Sequence, residues 1–77
     1  MGAITATEAI RQILKEKGIS IATLSRRTGL QQSTARERLS HDNISVKKLN
    51  EMLAVLDYKV VIQPAGKKLV EGAIEIK

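Results

Sequence analysis

Apolar residues recur at three- and four-residue steps in four stretches of the chain, and the polar residues between them fall where helices start and stop. The first stretch sets Ile10, Ile13 and Leu14 on one side, with Arg11, Gln12, Lys15 and Glu16 on the other, the spacing of an amphipathic helix. Ahead of it, Thr5-Ala-Thr-Glu8 matches a capping box, in which the Thr5 hydroxyl accepts from the Glu8 amide and the Glu8 carboxylate reaches back. Lys17 and Gly18 suit its C-terminal end, and residues 1–3 read as a loose start. Ser20 is placed to cap a second helix over residues 21–28, where Leu24 and Thr28 share a face and Thr23, Arg26 and Arg27 form the exposed flank. Ser25 is small enough for another helix to come close. Gly29 supplies the left-handed conformation a tight corner needs, and Leu30 can plug it. A third helix is predicted from Gln31 to Leu39 or Ser40, with Ala35 and Leu39 inward. After a polar connection over residues 40–43, Ser45 caps a fourth helix over residues 46–56, with Val46, Leu49, Met52, Leu53 and Leu56 as its buried stripe.

The pattern changes after Asp57. Residues 58–63 are dense in β-branched side chains and too short for a stable helix, so a strand is predicted there, then a turn over residues 64–66 and a second strand over residues 69–76. An isolated hairpin is marginal in water, so this arm must lie on the helices or pair with the same segment of another subunit. The expected fold class is mainly α: a four-helix domain over residues 1–57, with a C-terminal β arm over residues 58–77 that belongs to the same domain.

Composition narrows this picture. The chain has 77 residues, no Phe or Trp, and one aromatic, Tyr58, so the core must be built from Ile, Leu, Val, Met and Ala. A domain this small often needs oligomerisation to bury enough surface. Without cysteine, disulfides and thiolate zinc sites are excluded. No apolar run approaches the ~20 residues that span a bilayer, and the N-terminus lacks the pattern of a secretion signal. The expected location is the cytoplasm, and no membrane partner is expected. The net charge is +5, and it is unevenly spread: over residues 20–48, six basic residues (Arg26, Arg27, Arg36, Arg38, Lys47 and Lys48) face only Glu37 and Asp42. A positive field centred on two short helices and a glycine corner is what a phosphate backbone attracts.

Catalysis has little to stand on. Ser40, His41 and Asp42 carry the letters of a nucleophile triad, but loop neighbours cannot converge as a triad requires. Ala-Gly-Lys-Lys at residues 65–68 lacks both the spacing of a phosphate loop and a following helix. The carboxylates are scattered without metal-ligand spacing. No enzyme, metal site, cofactor or small-molecule ligand is expected. The third helix offers more. Gln32, Ser33 and Arg36 fall within about 100° of arc. Glutamine can pair with adenine and arginine with the guanine edge, while Glu37 can accept from cytosine N4 or orient Arg36. Arg26 and Arg27 are either a solvated face or a grip on phosphates, and Lys47 and Lys48, in the first turn of the fourth helix, lack a helix-dipole reason to be there.

The run L-S-R-R-T-G-L-Q-Q-S-T, from Leu24 to Thr34, resembles the Cro/repressor-type (lambda-repressor-like, or Xre) helix-turn-helix, and the likeness covers roughly Ala9 to Leu56. It implies a helical core that binds operator DNA as a homodimer and mostly represses transcription. Base contacts would come from Gln31, Gln32, Ser33 and Arg36, joined by Glu37. Phosphate contacts would come from the motif and its flanks, at Ser20, Thr23, Arg26, Arg27, Thr34, Arg38, Lys47 and Lys48. Two features depart from the family. Ala35 stands where a large apolar residue is usual, and Arg38 where a second one is, with Leu39 one step later. The β-rich tail replaces a fifth helix and resembles strands that pair across a dimer in some repressors and antitoxins, which assigns dimerisation to Tyr58, Val60, Val61 and Ile62. The implied protein is a prokaryotic or phage-encoded, nucleoid-associated regulator. The alternative is an antitoxin or other protein-interaction module, with a partner such as a toxin.

Overall fold

A computed structural model describes residues 3–76; Met1 and Gly2, most of the predicted loose start, and Lys77 lie outside the described residues. Four helices follow in order: α1 Ala6–Lys17, α2 Ile21–Thr28, α3 Gln32–Leu39 and α4 Val46–Ala54. The caps form as the sequence predicts. Thr5 and Glu8 make both bonds of the capping box, and the Ser20 and Ser45 hydroxyls accept from the Thr23 and Lys48 amides.

Three helices end in the same way. Gly18, Gly29 and Asp57 each take a left-handed conformation, with φ of 66°, 77° and 64°. The amide one residue further on bonds back across the turn: Ile19 to the Leu14 carbonyl, Leu30 to that of Ser25, and Tyr58 to that of Leu53. This is the Schellman arrangement, in which an apolar residue just beyond the helix covers its last turn. Ile19 and Tyr58 accordingly pack on the core. The last turn of α4 thus passes through residues 55–57, and the regular helix stops at Ala54 rather than at the predicted Leu56.

The core sits where the helices converge. Ile10, Ile13, Leu24, Met52 and Leu56 are its most enclosed large side chains, joined by Leu14, Leu39, Leu49 and Leu53. Both α3 and α4 pack on α1 and α2, while α3 and α4 scarcely approach each other. Val46, predicted to belong to the buried stripe, is 67% exposed instead. It lies in the first turn of α4, ahead of the point where the helix meets its neighbours.

The predicted β arm does not form. Among the described residues there is no strand, only an isolated parallel bridge between Ile4 and Ile76 supported by the Ile4 amide on the Glu75 carbonyl. The tail instead leaves the core after Val60, makes an exposed excursion and returns at Ile74, which packs on the core near the start of the chain. A turn is present where it was predicted, with the Lys67 amide on the Pro64 carbonyl and Gln63 Nε2 on the Lys67 carbonyl. The strand prediction rested on β-branched residues, but such residues favour strands only where a neighbouring strand gives them a pleated surface to pack on. Among the described residues there is no such neighbour. The four residues assigned to dimerisation consequently divide. Tyr58 and Val60 are half-buried on the protomer's own core, whereas Val61 and Ile62 are exposed.

Candidate nucleic-acid interface

The site is built on α3, and α2 sets its position. Leu24, fully buried, anchors α2, and the small buried Ser25 lets α3 close against it. The Ser25 hydroxyl donates to the Ala22 carbonyl, so no unpaired group is left inside. Thr28 locks the corner from within: its hydroxyl lies 3.0 Å from the carbonyls of both Leu24 and Ser25 and accepts from the Leu30 amide. With Gly29 left-handed, the chain turns the corner within three residues and α3 starts at Gln32.

On α3, Ala35 and Leu39 are buried, which turns the opposite side outward. Gln31, Gln32, Ser33, Arg36 and Glu37 are all exposed, so none of the five residues predicted to read bases is withdrawn into the core. Ala35 is fully buried and with Leu39 buries one edge of the helix. This helix is also the least self-sufficient of the four. Gln31, at its N-cap, makes no side-chain capping bond, and the helix ends without a left-handed residue. Its last carbonyl is instead met by α1, where Arg11 Nη2 donates to the Leu39 oxygen at 3.2 Å. A second tie runs from the buried Thr7 hydroxyl to Asp42 Oδ1, 3.1 Å away in the following loop. Sequence reasoning missed both. Arg11 read as a solvated position on an amphipathic helix, and nothing local distinguishes a residue that reaches across to another helix.

The predicted phosphate contacts fall into groups. Ser20, Thr23 and Arg26 form one network at the start of α2: Ser20 bonds Thr23, and Arg26 Nη2 donates to the Thr23 hydroxyl at 3.2 Å. That holds a guanidinium beside two hydroxyls on the exposed flank. Lys47 and Lys48 are exposed in the first turn of α4, and Lys48 shares a shallow depression with Glu37 and His41. Arg27 is exposed too but borders a different groove, between the corner and α4, with Leu30, Val55 and Glu51. Thr34 is half-buried. Arg38 is engaged: its side chain is only 16% exposed, and its Nη1 lies 3.1 Å from Glu51 Oε1 on α4.

A capped helix, a glycine corner and an outward-facing polar second helix beside basic flanks define a helix-turn-helix DNA-binding domain. Residues 9–60 match the Cro/C1-type HTH DNA-binding domain, and the chain belongs to that family. No curated protein and no solved structure shows a significant match to it. Among the described residues, no helix is long and apolar enough to cross a membrane, and no group of three or more His, Asp or Glu residues is placed to hold a metal ion.

Proposed function

We propose that the protein is a homodimeric transcriptional regulator, a repressor, that lays α3 in the major groove of an inverted-repeat operator. Gln31, Gln32, Ser33, Arg36 and Glu37 meet base edges. Ser20, Thr23, Arg26, Arg27, Thr34, Lys47 and Lys48 hold the phosphates on either side. The observation that carries the reading is the open polar face of α3, on which no candidate base-contact side chain is buried. Glutamine and arginine there have the bidentate donors and acceptors that distinguish adenine and guanine. Two copies related by a two-fold axis read half-sites ~10 bp apart, or a multiple of that. Repression follows by occupation of a promoter.

The contact between copies is assigned to the exposed excursion of the tail, where Val61, Ile62 and Val70 are 63%, 100% and 72% exposed. The same surface also favours a second reading, an antitoxin-like module whose partner is another protein. A selection of bound duplexes from a random pool, followed by Arg36→Ala, tests the first reading. Loss of Arg36 is expected to cost about 1–3 kcal/mol and relax the preference at one base position. Unaltered affinity and unaltered preference would remove α3 from the role of reading helix.

A further inference from the structure

We infer that Arg38 and Glu51 are positioning residues that set the angle of α3 on the domain, and that Arg38 does not contact phosphate. The inference rests on the DNA-binding reading of α3 and assigns one of its basic residues a different task. Three observations lead to it. First, the backbones of α3 and α4 scarcely approach each other although Leu39, Leu49 and Leu53 share the core, and a groove lined by Thr28, Leu30 and Val55 separates the corner from α4. The Arg38–Glu51 pair spans it, and no other side-chain hydrogen bond or ion pair described here joins these two helices. Second, α3 has no side-chain cap at its start, so it has fewer local bonds than α1, α2 and α4 and leans more on its contacts with other elements. Third, Arg38 is five-sixths buried while Glu51 is 49% exposed. The guanidinium is therefore held back against the protein, unlike Arg36, which is free on the outer face.

The chemistry favours this division of labour. A carboxylate 3.1 Å from a guanidinium neutralises it, and a phosphate approaching the pair would have to displace Glu51 or meet its negative charge. The planar guanidinium gives the bridge a direction that a simple apolar contact lacks. Ala35 and Leu39 already pack the inner edge of α3 on the core, and the ion pair adds a lateral brace toward α4 beside them.

Three variants, Arg38→Gln, Glu51→Gln and the charge-swapped Arg38→Glu/Glu51→Arg, test the inference in two measurements. In the free protein, amide hydrogen exchange is expected to accelerate about 1.5- to fivefold in α3 for both single variants, the span measured for pairs with one partner open to solvent. The α1 amides are expected to be unchanged, and the swapped pair restores protection. On random duplex DNA, Arg38→Gln is expected to leave the salt slope unchanged, and both single variants reduce discrimination between selected and random duplexes. A slope shallower by about 0.9 for Arg38→Gln would identify a phosphate contact. Unaltered α3 exchange in both single variants, or tighter discrimination by Glu51→Gln, would equally overturn the inference. Failure of the unmodified protein to bind DNA would refute the DNA-binding reading but leave the exchange result to decide the brace.

Discussion

Replacing Gly29 with alanine isolates the corner of the helix-turn-helix. Gly29 has a φ of +77°, and a Cβ built there would meet nothing within 4 Å. The change therefore introduces no clash and acts through backbone conformation alone. The left-handed region costs an L-residue roughly 1–2 kcal/mol. Against this, alanine restricts the unfolded chain, which recovers about 0.4–1 kcal/mol. The net loss is about 1 kcal/mol, and in a domain of this size that lowers Tm by roughly 4–8 °C. Asparagine tolerates the conformation better than alanine, so Gly29→Asn is expected to lie between the two. Gly66→Ala is the control: it too has open space, but its φ lies outside the left-handed region, so its melt is expected to stay level or rise. Thermal unfolding followed by far-UV circular dichroism reads all three. Equal Tm values for Gly29→Ala and Gly66→Ala would refute the claim that the corner depends on a left-handed residue.

Leu24→Ala, at a fully buried position beneath the corner, is expected to cost about 3–5 kcal/mol by chemical denaturation. A cost below about 1 kcal/mol would mean α2 is not anchored there. Ile62→Asp is expected to leave Tm unchanged, because Ile62 is fully exposed, and to shift sedimentation from dimer toward monomer. A dimer of undiminished strength would move the contact between copies elsewhere.

The helices were legible because the information for them is local. Thr5, Ser20 and Ser45 announce three starts, Gly18 and Gly29 two ends, and the apolar spacing gives the inner face of the helices except at Val46, which is exposed. The outward group on α3 followed from Ala35 and Leu39 alone. What stayed hidden depends on distant partners. Arg38 looks like any surface cation until Glu51, thirteen residues away, is brought alongside it. Arg11 needs the Leu39 carbonyl, 28 residues on. The tail departs from the expected strands for a related reason. Val60, Val61 and Ile62 have the residue types of a strand, but Val60 finds the helical core while Val61 and Ile62 find solvent. Asp57 also concealed the end of α4, since an aspartate in the left-handed conformation does the work expected of a glycine.

The central claim is that α3 and its basic flanks engage duplex DNA, and the salt dependence of binding to random duplex tests it most directly. Arg26, Arg27, Lys47 and Lys48 are exposed cations on these flanks. Four phosphate contacts per protomer at about 0.9 each give a slope of log K against log salt near −3.6, and about twice that for a dimer engaging both half-sites. Measurable binding at low salt with a slope in that range is expected. No binding at low salt, or binding indifferent to salt, would contradict it.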